Sequence, residues 1–238
     1  RARLARLHGR LSVPTPALLD SGEQAGWPYL VMTQLTGTPL TQAWPAMPEA
    51  RRLALLSALG RLTAEVHALP VGDTAALAPR WADFLARQRA QCLRRQQRTG
   101  LPAHLLAALP AFLEGPLPAG PDGAAEADVL LTGEYTPMNL FVDADDRLAA
   151  MFDFGDGLVG PRAYDWLGPL AFLAAGHADR CAAFLEGCGA ARGGGLGAPL
   201  LRLLLLHRYS HLRAQIAHPG WETAGSFEEL AARIWPGV

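Results

Sequence analysis

Apolar residues recur at helical spacing through most of the chain beyond residue 48. The clearest stripe lies between two prolines and consists of Leu55, Leu59, Leu62, Val66 and Leu69. Burying such side chains contributes roughly 1.5–3 kcal/mol each before opposing terms, so the stripe predicts a core helix. The same spacing predicts further helices at about 1–11, 80–98, 104–113, 163–175, 177–187, 198–217 and 226–234.

Short runs of β-type residues accompany these helices in two places. Near the start of the chain, residues 17–20 and 29–34 predict two strands joined by a turn at 21–26. In the middle of the chain, a small β insert is predicted at 129–132, 140–142 and 148–152. The whole pattern predicts an α+β protein with a strand-containing start and a mostly helical body.

Composition excludes several classes of function. With 238 residues, of which 50% are hydrophobic and 18% charged, the chain can bury a core and is globular in character. A net charge of −1 gives no strong field for nucleic acid or an anionic membrane, and no apolar run approaches the ~18 residues that span a bilayer. Three cysteines without metal-ligand spacing fit a reducing cytoplasm. We expect no nucleic-acid or membrane partner, and the oligomeric state stays open.

Polar residues concentrate in the β insert. The segment carries four candidate residues on or beside short strands joined by tight turns: Glu134, Asn139, Asp153 and Asp156. A carboxylate and an amide oxygen that converge from neighbouring turns make an oxygen-only site, which Mg²⁺ prefers when phosphate oxygens and water complete the octahedron. Asn139 is also the only asparagine in the chain. Its position therefore adds weight to a functional interpretation.

The spacing of these residues resembles the aminoglycoside phosphotransferase family of small-molecule kinases. Residues 132–134 read Thr-Gly-Glu, Asn139 follows after four more residues, and residues 153–156 read Asp-Phe-Gly-Asp. That family typically has His-Gly-Asp, four residues, Asn and then Asp-Phe-Gly-Asp. The pairs Gly160-Pro161 and Tyr164-Asp165 are also similar to it, and the resemblance covers nearly the whole chain from about residue 12.

The resemblance implies a protein-kinase-like fold with two lobes. Residues 1–37 correspond to a remnant of a truncated N-lobe with the hinge, and residues 38–238 to a mostly helical C-lobe whose small β insert carries the catalytic and metal loops. It further implies ATP as the phosphoryl donor, Mg²⁺ as the metal and a hydroxyl group of a small molecule as the acceptor, in the cytoplasm.

The resemblance also assigns catalytic and metal-binding roles. Glu134 stands where the catalytic base or substrate-orienting carboxylate stands, although it is one methylene longer than the usual Asp. Asn139 and Asp153 correspond to the residues that hold Mg²⁺ against the ATP phosphates. Asp156 corresponds to a residue that assists at the metal or braces the loop.

A nucleotide site is implied at the hinge between the lobes. By resemblance, the hinge backbone at Thr33, Gln34 and Leu35 would hydrogen-bond adenine. Apolar walls of the same site would come from Met32 and Leu140.

Two features depart from the family pattern. The chain contains no lysine, whereas a kinase-type site uses one on an N-lobe strand, and no glycine-rich phosphate loop precedes Ser12. We expect those strands to lie upstream of Arg1. The alternative is a pseudo-kinase that has lost them and acts as a binding module, and nucleotidyl transfer on the same fold is a further alternative.

The remaining polar and aromatic residues are predicted to be structural. Asp165 is expected to cap the helix that begins near it, and His67 to be a structural residue at a helix end. His207 and His211 are expected to lie on a polar helix face. Packing roles are predicted for Trp81, Trp166 and Trp221.

The sequence leaves the identity of the phosphoryl acceptor open. Aminoglycosides are cationic and need an acidic pocket, whereas the region from Arg162 onward carries many arginines against few acids. This balance weakens an aminoglycoside interpretation and leaves sugars, amino alcohols and phosphorylated metabolites as candidates. The arginines concerned are Arg162, Arg180, Arg192, Arg202, Arg208 and Arg213.

Overall fold

The computed structural model describes residues 2–72, 79–119, 127–190 and 195–238. Its helices are α1 Ala2–Leu7, α2 Leu40–Ala43, α3 Glu49–His67, α4 Trp81–Arg98, α5 Ala103–Leu113, α6 Ala163–Phe172, α7 Ala178–Gly187, α8 Gly197–Leu205, α9 Leu212–Gln215 and α10 Phe227–Ile234. Among these described helices, none combines the length and the apolarity that crossing a membrane requires.

Helix α3 is the central element of the core, as its apolar stripe predicts. Leu55, Leu59, Leu62 and Val66 are at most 2% exposed, and the helix packs most extensively against α7. Leu69 lies beyond the helix end and is only partly buried. Burial on this scale makes α3 the scaffold on which the β insert rests, since α3 also contacts the strands that carry the polar loops.

Two predicted helices differ in extent from the structure. The first helix ends at Leu7 rather than at residue 11, and Gly9 follows it with a φ of 72°. The helix predicted at 198–217 is wrong as a single element, because the chain leaves the helical path at Leu206 and forms the short α9 only from Leu212. The connecting residues 206–211 carry side chains to the candidate site described below.

Seven short strands lie within the described residues. They are β1 Leu18–Gln24, β2 Trp27–Met32, β3 Thr38–Pro39, β4 Val129–Leu131, β5 Leu140–Val142, β6 Leu148–Met151 and β7 Leu158–Gly160. All pair antiparallel, in the arrangements β1-β2, β3-β5-β6 and β4-β7. The predicted β insert corresponds to β4, β5 and β6, and β3 and β7 pair with it as strands that the sequence pattern did not predict.

The first hairpin has a tighter turn than the sequence pattern predicts. The turn predicted at 21–26 is wrong, because Gln24 pairs with Trp27 and only Ala25 and Gly26 connect the strands. Both connecting residues have positive φ, 52° and 82°, as in a two-residue turn whose twist matches that of the strands. Ser21 and Gly22 therefore belong to β1.

The strand pairing holds two loops side by side. One loop runs from the end of β4 to the start of β5, and the other from the end of β6 to the start of β7. Leu131 pairs with Leu158 at one end of these loops, and Leu140 pairs with Met151 at the other. Because both loops are fixed at both ends, residues 132–139 and 152–157 are constrained to lie next to each other.

Candidate active site

The two loops fixed by the β insert carry all four candidate residues of the insert, including Asp156 on the second loop. Glu134 and Asn139 lie on the first loop, here called the catalytic loop (residues 132–139), and Asp153 lies on the second, the DFG loop (residues 152–157). The backbone N–H of Phe152 donates to the carbonyl of Asn139 at 3.1 Å. One hydrogen bond therefore joins the residue before Asp153 to Asn139 itself.

Backbone contact between the loops depends on a glycine. Gly133 has a φ of 82°, and a Cβ placed there would lie 2.2 Å from the carbonyl oxygen of Asp156. Only glycine combines that conformation with so close an approach. Gly168 plays a similar part beneath the catalytic loop, since a Cβ on it would lie 1.9 Å from the carbonyl oxygen of Tyr135. Helix α6 can therefore pack directly against the catalytic loop.

Asn139 is oriented by its own loop. Its Nδ2 donates to the carbonyl of Glu134 at 3.1 Å, and its backbone N–H donates to the carbonyl of Thr136 at 3.0 Å. The side chain is 8% exposed. With Nδ2 engaged, Oδ1 is the atom left for a further ligand, and within the described ranges it accepts no hydrogen bond.

Asp153 occupies a rare backbone conformation. Its φ of 63° lies in the left-handed region, which few residues other than glycine adopt. The carboxylate Oδ1 accepts the N–H of Gly155 at 3.2 Å, which stabilises the turn, while the side chain is exposed. Strained conformations of this kind concentrate at functional sites. The other carboxylate oxygen, Oδ2, has no hydrogen-bond partner among the described residues.

These oxygens fit a metal that keeps other ligands of its own. No group of three or more His, Cys, Asp or Glu side chains in residues 2–72, 79–119, 127–190 and 195–238 could hold a metal ion alone. The set at hand is one amide oxygen and one carboxylate. Mg²⁺ suits this set, because it retains water and takes phosphate oxygens from a nucleotide instead of a full protein cage.

Glu134 is half-buried and lies in an acidic environment. Burial raises the pKa of its carboxyl above the ordinary value, and the charges of Asp156 and Asp153 raise it further. The guanidinium of Arg208 partly opposes this rise. A carboxyl with a raised pKa beside two further carboxylates is the electrostatic signature expected of a proton acceptor.

Asp156 is held by two residues that follow helix α8. The guanidinium of Arg208 forms an ion pair with Oδ1, and the hydroxyl of Tyr209 donates to Oδ2 at 2.8 Å. The backbone N–H of Arg208 in turn donates to the hydroxyl of Tyr164 at 3.3 Å. The predicted bracing role of Asp156 thus has defined partners.

Asp165 braces the catalytic loop and does not cap its helix, so the capping prediction is wrong. Its carboxylate accepts the N–H of Thr132 at 2.9 Å, the hydroxyl of Thr132 at 3.1 Å and the N–H of Gly133 at 2.9 Å. His67 Nε2 lies 3.2 Å from the same carboxylate, which confirms a structural role for that histidine. The residue at the helix N-cap position is Arg162, and no side chain caps there.

His207 is buried and not on a polar helix face, so that prediction is also wrong. Its ring stacks on Tyr164 with 4.7 Å between ring centroids, and its Nδ1 accepts the N–H of Tyr209 at 3.2 Å. Nε2 therefore carries the proton and lies 3.4 Å from the carbonyl of Gly133. Burial lowers the pKa of His207 to about 4, so the ring is neutral at physiological pH. The predicted packing roles are confirmed for Trp166 and Trp221, which are buried.

The hinge residues predicted to bind nucleotide lie after β2. Met32, Thr33 and Gln34 are exposed and Leu35 is half-buried. The N–H of Thr33 donates to the carbonyl of Ala17 at 3.0 Å, which fixes the strand end. Leu140, the other predicted wall, is 1% exposed within the core at the start of β5. Their nucleotide contacts stay a prediction.

Comparison with known proteins identifies the class. The family profile described as "Phosphotransferase enzyme family" matches residues 1–204, so the chain belongs to that family. The resemblance inferred from the catalytic and DFG loops is thereby confirmed.

Solved structures agree on the fold. The GDP complex of wild-type aminoglycoside 2'-phosphotransferase-IIIa superposes with a TM-score of 0.70 at 17% identity, covering 96% of this chain and 78% of that one. The streptomycin–ATP complex of APH(2")-IIa gives 0.58 at 16%, covering 87% and 75%, and macrolide 2'-phosphotransferase type I gives 0.58 at 18%, covering 97% and 75%. This likeness establishes the predicted α+β, protein-kinase-like fold.

Proposed function

We propose that the chain transfers the γ-phosphoryl group of ATP to a hydroxyl group of a small molecule, with Mg²⁺. The observation that carries the proposal is the placement of Glu134, Asn139 and Asp153 on two adjacent loops that a backbone hydrogen bond links. Family membership supports phosphoryl transfer in general. The names of the structural neighbours include ATP, GDP, aminoglycosides and a macrolide. These names support a nucleotide donor and a small-molecule acceptor.

Each residue has a defined part in this reaction. Glu134 would take the proton of the acceptor hydroxyl while the hydroxyl oxygen forms its bond to the γ-phosphorus and the bond from that phosphorus to the β–γ bridging oxygen breaks. ADP is the leaving group. Mg²⁺, held by Asn139 Oδ1 and Asp153, would neutralise charge on the phosphates.

The nucleotide would be held by the hinge. Backbone groups of Thr33, Gln34 and Leu35 would pair with adenine, and Met32 and Leu140 would flank the ring. In this proposal, residues 1–37 form the N-lobe remnant with the hinge and residues 38–238 the C-lobe. The β3–β5 pairing supports it, because it ties the strand after the hinge to the strand after Asn139.

The test is the loss of turnover in the two metal-site variants. Asp153→Asn and Asn139→Ala should reduce phosphoryl transfer from γ-labelled ATP to the background rate, since the first removes the charge of a metal ligand and the second removes a ligand. Thermal melts should show that both variants fold. Near-normal transfer by either variant would show that the metal assignment is wrong.

A binding module without catalysis is the second candidate. The Glu at position 134, where the family usually has Asp, favours it. It predicts nucleotide binding without transfer in the wild type. Nucleotidyl transfer, the third candidate, would release pyrophosphate in place of ADP, so identifying the nucleotide product separates the three.

A further inference from the structure

A cavity of about 190 Å³ opens beside Glu134. It is formed by the catalytic loop, by helix α6 and by the segment from α8 to α9. Glu134, His211 and Gln215 are among the residues that line it. If the proposed function holds, an acceptor whose hydroxyl meets Glu134 has its remaining atoms in this cavity.

The cavity offers one carboxylate. Among the described residues that line it, Glu134 is the only acidic one. The nearby Asp156 is already paired with Arg208 and Tyr209 through both of its oxygens. Asp165 is buried and receives three hydrogen bonds from the catalytic loop. The charge of Asp156 is thus balanced by Arg208, and Asp165 is engaged inside the fold.

The other linings are apolar or uncharged. Met138 and Tyr209 stand at the cavity with 53% and 49% of their surface exposed, and Phe172 is half-buried behind them. Gln215 and His211 supply polar groups without a fixed charge. Such a lining suits a ligand with an apolar face and a few hydroxyl groups.

We infer that the acceptor is an uncharged hydroxyl compound with an apolar face, and not a polycation; the inference rests on the proposed function. Several ammonium groups brought against Met138 and Phe172 would lose water and find one carboxylate. The ion pair of Arg208 with Asp156 offers them no unpaired carboxylate either. An uncharged glycoside avoids both penalties and can still place a hydroxyl at Glu134.

Titration calorimetry with two probes tests this inference on the whole chain. The probes are phenylethyl β-D-glucoside, which is uncharged and carries an aromatic face, and kanamycin, which is polycationic. We expect the glucoside to bind with a Kd lower by about tenfold or more. Equal affinity, tighter binding of kanamycin, or no binding of the glucoside would overturn the inference.

A pair of matched variants locates the preference in the cavity. Met138→Asp adds a carboxylate at the cavity, and it should weaken the preference for the glucoside by about tenfold, the scale of one charge at a partly desolvated site. Leu93→Asp makes the same change at a leucine on α4 that is 47% exposed and does not line the cavity. It should leave both affinities unchanged. If both variants changed the preference for the glucoside equally, the preference would not arise in the cavity, and the inference would be overturned.

The acceptor inference and the proposed function can fail independently of each other. Asp153→Asn should abolish transfer and keep the glucoside affinity, because Asp153 does not line the cavity. If the wild type binds the glucoside preferentially but transfers no phosphoryl group, the proposed function fails alone. If it phosphorylates kanamycin with the higher kcat/KM, the acceptor inference fails alone.

Discussion

At the scale of single residues, Glu134 is the position where this chain departs most informatively from its family. Aspartate is usual there, and glutamate is longer by one C–C bond. A base must come within about 2.6–3.2 Å of the hydroxyl oxygen. The loop or the acceptor therefore has to sit back by about the added length, and the cavity beside Glu134 provides room for that.

Shortening this side chain should be nearly as harmful as neutralising it. We expect Glu134→Asp and Glu134→Gln each to lower kcat on the order of 10²-fold or more, because neither places a carboxylate at the hydroxyl. ATP turnover against a panel of hydroxyl compounds measures this. A clear gain in activity for Glu134→Asp would contradict the view that the site is shaped around glutamate.

The raised pKa of Glu134 predicts a pH dependence. As a base, Glu134 works only as the carboxylate, so kcat/KM should fall as the pH drops through a pKa that lies above the ordinary glutamate value. Asp156→Asn removes one cause of the rise and frees Arg208 to act on Glu134. The acid limb should then move to lower pH.

The pH profile of kcat/KM for both forms measures this displacement. Asp145→Asn is the control, since Asp145 is exposed on the turn between β5 and β6 and is not among the charges that raise the pKa of Glu134. If the acid limb of kcat/KM stayed in place for Asp156→Asn, or moved equally for both variants, Asp156 would not be a cause of the raised pKa of Glu134.

At the scale of elements, the site depends on two loops in backbone contact. Gly133→Ala should place a Cβ against the carbonyl of Asp156 and push the DFG loop away. Gly220→Ala is a matched control, because Gly220 has a similar φ of 77° but no atom within 4 Å of an added Cβ. This control measures the cost of placing alanine at a positive φ without a steric clash at the added Cβ.

We expect Gly220→Ala to lower the free energy of unfolding by about 1 kcal/mol, the scale for alanine at positive φ. Gly133→Ala should lower it by roughly 1–2 kcal/mol more, and it should also reduce transfer. Denaturant unfolding with a parallel activity assay tests both. Equal losses for the two variants would mean that the loops do not need this contact.

The sequence predicted the elements well where local pattern decides them. The stripe of α3 and the spans of α4 and α5 follow from helical spacing alone, and their observed bounds differ from the expected ones by few residues. The segment after α8 was predicted to stay helical. It leaves the helix at Leu206, and the ring of His207 stacks on Tyr164, a tertiary contact that local spacing does not record.

At the scale of the whole molecule, the candidate site was predicted in part. Glu134, Asn139 and Asp153 could be found because their spacing is fixed by short loops between paired strands. Their placement together follows from the pairing of β4 with β7 and β5 with β6. Their roles stay predictions.

The supporting residues could not be predicted in the same way. Asp165 and Arg208 reach the two loops from outside them, and local periodicity does not show which groups they contact. Asp165 also looked like a helix cap, since an acid in the first turn of a helix usually acts so. Because α6 packs against the catalytic loop, the carboxylate of Asp165 accepts hydrogen bonds from that loop instead.

The central claim is that this chain moves a γ-phosphoryl group to a hydroxyl through Glu134, Asn139 and Asp153. Phosphorus-31 NMR of the protein with ATP, Mg²⁺ and phenylethyl β-D-glucoside tests it most directly, since a phosphate monoester and ADP have signals distinct from those of a phosphodiester and pyrophosphate. We predict growth of the monoester and ADP signals with the wild type and neither with Asp153→Asn. Pyrophosphate release, or monoester formation that persists in Asp153→Asn, would contradict the account.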